Sequence, residues 1–458
     1  MLAALANTFG NCFKIPELKS RIIFTMAILA VCRVIAYVRV PGLDSKALED
    51  FFNNAGGGGG AVGMYNLFTG GALEHCAVGA LGIMPYISAT IIVQLLTAVV
   101  PQLSKLAREE GGRTKLIQYG RYLTVGLCLL QGAFITFGWE KPNSIGQGVP
   151  SLVIYDDSFL WVYRIQTLLV LTTGTMLLMW LGEQITERGI GNGVSLVITI
   201  GIVARLPKAA TAMWDMFVAT GGVEAKYNLG HAAALILLLV GVIAGVIAVT
   251  QAQRKIPVQY AQRAVGRKVY SGGTSFMPLR VNYAGVMPII FAGAILSFPQ
   301  QLALRAGNYF EIPFLTSIAR HLQEGAFLYI ALYSLMILFF SYFWVATQFN
   351  ELQIADDLKK NGGYIPGVRP GQATADFLHH AMTRITLAGA VFLTVIAVIP
   401  IILTREMNIP YDVTQFFGGT SMLITVGVML DTMRQIESHL MMRHYDGFLK
   451  KGRLHGRF

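Results

Sequence analysis

The sequence predicts an all-α integral membrane protein with ten transmembrane helices, and three observations carry that reading. The chain is 54% hydrophobic and only 13% charged, against about 25% charged in ordinary soluble domains. Its apolar residues gather into runs long enough to cross a bilayer core, which takes about 20 residues of helix. Finally, 25 of the 36 lysines and arginines lie on one alternate set of the loops between those runs.

The spans are expected near 21–40, 79–100, 116–138, 159–181, 193–206, 231–250, 284–300, 326–347, 382–403 and 413–433. Ahead of the first stands "MLAALANTFGNCFKIPELKSR", an amphipathic lead-in ending in basic residues, with no A-x-A site behind an apolar core. The second run opens on "GALGIMPYISATIIVQLL", residues 79–96, uncharged throughout but with Pro85 in its first third. It follows "GMYNLFTGGALEHC", which is too polar for a span and too long for a turn. The fifth run, "GVSLVITIGIVARL", is short, and the seventh, "AGVMPIIFAGAILSF", is expected to be broken by Pro288 and small residues. The sixth and eighth are unambiguous; in the sixth, Gly241 and Gly245 form the small-xxx-small pattern of close helix packing.

Charge sets orientation. The basic loops are those that carry both termini, so the positive-inside rule places both ends in the cytoplasm. Two of these loops are long, about 251–283 and 348–384. The first is basic with interleaved tyrosines, which suits either RNA or an acidic protein face, or else anionic lipid headgroups. In the second, Glu351 to Lys360 reads as a short helix, "NGGYIPG" as a turn, and Arg369 as a charge at the loop tip.

Several chemistries lack their signatures. Apart from edge residues such as Glu183 and Asp431, no Asp, Glu or His lies within the ten expected spans. Ion-coupled pumps need such groups, because a buried carboxylate persists at membrane depth only for a purpose. Arg33 is the main intramembrane charge, and it either pairs within the bundle or snorkels outward. Phosphate-loop, metal-pair and nucleophile-elbow motifs are missing, and Cys12, Cys32, Cys76 and Cys128 have no metal-ligand spacing. His379 and His380 are neighbours in sequence, which faces them apart on a helix. The residues therefore suggest no catalytic group, metal or cofactor, and a passive conduit driven from outside. A small-solute transporter is the alternative, since broken helices also serve those.

Five blocks carry a resemblance: "NLFTGGALEHCAVGALGIMPYISATIIVQLL", "MWLGEQITERGIGNGVSLVI", "GRKVYSGGTSFMPLRVNYAGVMPIIFA", "YIPGVRPGQAT" and "FFGGTSMLITVGVMLDTM". In this order they resemble the SecY/Sec61-alpha family, channel subunits of the protein-export machinery. The resemblance implies two pseudo-symmetric inverted halves around a central pore: 1–206 with five spans, and 231–433 with five more. Between them lies an external hinge loop at 207–230, and after them a cytoplasmic tail at 434–458.

The resemblance also implies roles. The segment at about 64–75 would be a short plug helix, with Asn66, Leu67, Phe68, Gly70, Gly71 and Leu73. A plug must be weak enough to leave, and each glycine lowers helix stability by about 1 kcal/mol. Ile83, Ile87, Ile198, Ile290, Ile295 and Ile424 would form an aliphatic pore ring, which resists leakage by dewetting. Ile83 and Ile87, spaced i, i+4, share a helix face. Spans two and seven would flank a lateral gate, with Gln94 and Asn282 as its polar residues. Arg254, Lys255, Arg267, Lys268 and Arg369 would dock a ribosome or the SecA ATPase; a lysine second in each pair keeps the charge but loses the planar fork. Implied partners are SecE-type and SecG-type small membrane subunits, SecA, the ribosome, signal-sequence-bearing polypeptides and anionic lipids. The run "NNAGGGGGAVG", residues 53–63, departs from the family and reads as a flexible tether or a neutral insertion.

Overall fold

In a computed structural model, the structure describes residues 15–46, 48–49, 65–66, 68–109, 111–140, 152–155, 159–217, 229–260, 263–265, 268–270, 273–309, 312–323, 325–406, 413 and 420–451. The glycine run at 56–60, Leu67 and Arg267 lie outside the described residues.

The helices in the first half are α1 (Pro16–Ile35), α2 (Met84–Val99), α3 (Pro101–Arg108), α4 (Gly112–Glu140), α5 (Leu160–Arg188), α6 (Gly193–Val203) and α7 (Leu206–Phe217). After residue 228 come α8 (Leu229–Gln251), α9 (Met287–Tyr309), α10 (Pro313–His321), α11 (Phe327–Gln348), α12 (Glu351–Lys360), α13 (Gln372–Glu406) and α14 (Thr420–Lys451). Each of the ten expected spans overlaps one of these helices, with some ends that differ by several residues: α1 stops at Ile35 rather than 40, and α2 starts at Met84 rather than 79. Among the described residues, six helices are long and apolar enough to cross a membrane, or seven with the bent α2–α3 pair.

Helix boundaries follow local chemistry. The second span stops at Val99 because Pro101 cannot donate into the preceding turn, and α3 leaves at 104° to α2. Asn192 caps α6, its side chain accepting from Ser195 N at 3.2 Å, and Asn350 caps α12 in the same way. Pro288 does not break the seventh span as expected. It sits in the first turn of α9, where a missing N–H costs nothing, while Pro299 lies inside a helix that continues to Tyr309. Gly245 packs against Ile396 of α13, whereas a side chain at Gly241 would meet open space.

The helices before residue 218 pack mainly among themselves, α1 on α5 and α6, and α4 on α2 and α5. Those after residue 228 do likewise, with α11 on α9 and α13, and α8 on α13 and α14. Two seams join the groups: α2 against α9, and α6 against α14.

The two long loops hold a small sheet that the sequence reading did not anticipate. Strand β1 (Gln253–Tyr260) pairs antiparallel with β4 (Thr274–Arg280), and β5 (Gly363–Tyr364) adds to the other edge of β1. Beyond β1, the short strands β2 (Arg263–Val265) and β3 (Lys268–Tyr270) pair as a separate ribbon. Ile256 and Val258 alternate inward along β1, as a strand with one covered face requires. Ile256 joins Leu279, Phe349, Ile365 and Leu378 in one buried cluster, so both loops share a single core.

Candidate functional site

The six isoleucines marked by the sequence share one part of the core. Ile83, Ile87, Ile198, Ile290 and Ile424 belong to one continuous buried apolar cluster, and Ile295 packs against it while partly buried. They come from α2, α6, α9 and α14, or in Ile83's case the residue that starts α2. These are the four helices that form the two seams. The cluster therefore spans the place where the two groups of helices meet.

A local repeat explains this placement. Gly82-Ile83-Met84-Pro85-Tyr86-Ile87 opens the second span, and Gly285-Val286-Met287-Pro288-Ile289-Ile290 opens the seventh. Both leading glycines have positive φ, +58° and +63°, a conformation that side chains disfavour. Each lets the chain turn sharply into a helix whose proline occupies the first turn. The repeat matches Ile83 with Val286 and Ile87 with Ile290. Val286 is buried in the same cluster, and this internal repeat is the signal that would have added it to the expected ring.

The segment ahead of α2 packs into the same cluster. Its backbone is helical at residues 65, 66 and 68 and then runs in turns to residue 83. Phe68 and Leu73 are buried in the isoleucine cluster. Gly70 and Gly71 both have positive φ, +67° and +88°, so they serve as turn residues. A side chain on Gly70 would stand 2.7 Å from the Cα of Gly201 in α6, so segment and span are in backbone contact. Arg33 donates from Nη1 to the Gly70 carbonyl at 3.0 Å, and its guanidinium lies over the Tyr37 ring. The intramembrane arginine thus pairs within the bundle.

The segment also carries polar contacts that the sequence reading missed. Asn66 Nδ2 donates to Glu74 Oε2, and Glu74 N donates to Asn66 Oδ1, both at 3.1 Å. The Glu74 carboxylate accepts from Arg205 at 2.8 Å and Lys208 at 3.2 Å. On the neighbouring residue, His75 Nδ1 is 3.0 Å from Glu49 Oε1, which also accepts from Ser45 and Arg39. A Glu-His pair flanked by apolar residues gives no periodic signal, and its partners stand far off in sequence.

The remaining expected residues are dispersed. Gln94 is exposed on α2, and Asn282 is buried ahead of α9, donating from Nδ2 to the Gly285 carbonyl at 2.8 Å. Asn282 so secures the turn that starts α9, while the two helices of the expected gate do pack together. Arg254 and Lys255 are exposed on β1, Lys268 starts β3, and Arg369 is exposed beyond β5. The Tyr364 hydroxyl donates to Gln259 Oε1 at 3.0 Å, so the sheet brings Arg254, Lys255 and Arg369 onto one folded unit. His379, within α13, sets Nδ1 3.1 Å from Glu351 Oε1.

The chain also matches known proteins. Residues 77–433 match the family model described as SecY. The chain is 41% identical to the protein translocase subunit SecY of Chlamydia trachomatis, over 98% of this chain and 99% of that one. It is 42% identical to the same subunit of Escherichia coli K12, over 96% of each. Among solved structures it resembles "The structure of a protein conducting channel", with a TM-score of 0.64 and 19% identity over 93% of this chain and 96% of that one. It also resembles Sec61 in the canine ribosome-channel complex from the endoplasmic reticulum, with a TM-score of 0.59 and 18% identity over 93% and 96%.

Proposed function

Because this chain belongs to the SecY family, we propose that it is a protein-conducting channel, passing signal-bearing polypeptides across the membrane and releasing membrane segments sideways into lipid. The observation that carries this reading is the buried apolar cluster at the two seams. Branched aliphatic side chains from four helices close the junction of two helix groups, and a turn-rich segment packs against them. Such a collar offers ions and water no hydrogen bonds, so it seals by dewetting, yet it yields to any side chain because it binds none. Opening separates the two seams, and only apolar contacts need to part at the collar. The α2–α9 seam is the lateral gate, through which an apolar helix leaves for lipid.

The chain supplies the conduit, and the driving force comes from outside. The basic residues Arg254, Lys255, Arg267, Lys268 and Arg369 form the docking face for SecA or a ribosome. Arg254 and Lys255 on β1 and Arg369 beyond β5 belong to one folded unit, so charges from two loops act as a single surface, and acidic groups or RNA phosphates are what it would meet. Both termini lie in the cytoplasm and the membrane is the cytoplasmic one, with anionic lipid attracting the basic loops. SecE-type and SecG-type subunits complete the assembly.

The test is export into sealed proteoliposomes containing the chain and its small partner subunit, with SecA, ATP and a signal-bearing preprotein. Protease-protected product that disappears without the signal sequence or without ATP is the expected result. Its absence, with SecA active on a known channel, would overturn the reading.

A further inference from the structure

The segment packed on the collar is held by charge as well as by apolar contact. Glu74 is 7% exposed, and both its carboxylate oxygens are engaged. Oε2 takes Arg205 Nη2 at 2.8 Å and Asn66 Nδ2 at 3.1 Å, while Oε1 takes Lys208 Nζ at 3.2 Å. The Arg205 side chain is itself 13% exposed. Asn66 and Glu74 bind each other reciprocally across the intervening turn, so the carboxylate speaks for the whole segment from 66 to 74. The two cations stand just past the end of α6 and in the first turn of α7, while Arg33 of α1 grips the Gly70 carbonyl. Three cations thus face the segment, and the Glu74 carboxylate answers two of them.

We propose that Glu74 is the positioning residue that latches the plug to the first group of helices through Arg205 and Lys208. The inference rests on the channel reading above. The named anchors lie on α1, α6 and α7, so the latch ties the plug to one side of the opening seam. Parting the two helix groups leaves these bonds intact, and the plug is released only when the ion cluster itself breaks. A buried carboxylate with two cationic partners makes that a discrete event, because removing one member leaves uncompensated charge behind.

A native cysteine reports the latch. Cys76 stands two residues beyond Glu74 and is fully buried, so a membrane-impermeant thiol reagent applied from the external side reaches it only when the plug has left. Full chain with its small partner subunit is reconstituted in vesicles and the label is mapped to Cys76 by peptide mass spectrometry. Glu74→Gln is expected to raise the labelling rate at least tenfold, and the pair Glu74→Arg with Arg205→Glu to bring it back toward the wild-type rate. Rescue by reversed charge separates an ionic latch from mere packing. Should Glu74→Gln fail to assemble, Arg205→Gln is read in the same way. Labelling within twofold of wild type, or a reversed pair no slower than either single variant, would overturn the proposal. Export assayed on the same vesicles keeps the two readings apart: a wild type that exports beside a variant that labels normally sinks the latch alone.

Discussion

Gly70 and Gly201 touch backbone to backbone: a methyl carbon at Gly70 would stand 2.7 Å from the Cα of Gly201, and one at Gly201 3.3 Å from the Cα of Gly70. The segment ahead of α2 and the helix α6 can approach this closely because neither residue has a side chain. Gly70 also has φ +67°, where a side chain costs about 1–2 kcal/mol before any clash is counted. Gly201 is helical, and alanine there gains about 1 kcal/mol of helix propensity. Gly70→Ala is therefore expected to free residues 65–83 for hydrogen exchange, and Gly201→Ala to do so much less. Equal exchange in the two variants would show that the backbone contact does not hold the segment.

The collar should respond to polarity more than to volume. Ile290→Asn offers water a hydrogen-bonding partner at the waist and is expected to raise resting ion conductance in planar bilayers at least tenfold. Ile290→Val, which removes one methylene and costs about 0.5–1.5 kcal/mol of packing, should leave the seal intact. Val286→Asn should behave like Ile290→Asn, since the repeat puts both residues in the same cluster. A leak in the valine variant as large as in the asparagine variant would argue that packing, not dewetting, makes the seal.

Ile256 tests whether the two long loops are one unit. It is buried against residues of both loops and of α11 and α13, so Ile256→Ala is expected to cost about 2–5 kcal/mol of local stability. Limited proteolysis should then cut the 253–280 and 363–371 segments together, because β5 is held by pairing with β1. Arg254→Glu and Arg369→Glu, both exposed, should resist the protease as wild type does and lower SecA-driven export at least tenfold. Cleavage confined to the first loop in Ile256→Ala would separate the loops again.

Glu49 gives the segment around His75 an acid limit. Burial pushes its carboxyl up, but hydrogen bonds from His75 and Ser45 and the charges of His75 and Arg39 outweigh that and hold it below the ordinary carboxylate range. A carboxylate with a depressed folded-state pKa contributes stability above its unfolded value and loses it as pH falls through the folded one. Hydrogen exchange over residues 36–49 and 68–83 should therefore rise as pH drops below the ordinary carboxylate range, after correction for intrinsic rates. Glu49→Gln should lack that acid-dependent step, and an unchanged acid profile in this variant would assign the step to another group.

Much of the molecule was legible in one dimension, for physical reasons that differ between elements. A helix in lipid must satisfy its own backbone, so an apolar run such as 327–348 declares itself without reference to its neighbours. The cap at Asn350 and the helix it starts are equally local. The ring isoleucines are named by resemblance, and the cluster they share depends on four helices meeting at two seams. That is a long-range property, and no spacing within one span records it. Pro288 was misread because a proline inside an apolar run looks the same whether it breaks a helix or begins one; the turn at Gly285 decides. Strands β1 and β5 were missed because their pairing joins loops about a hundred residues apart. Glu74 depended most on the fold: as a letter it was one polar residue in a loose segment, and only packing places Arg205 and Lys208 against it. Local sequence thus determined what each segment is, since backbone satisfaction and apolar burial act along the chain. Tertiary structure decided what the segments do to one another, because ion pairs, seams and close glycine contacts act across it.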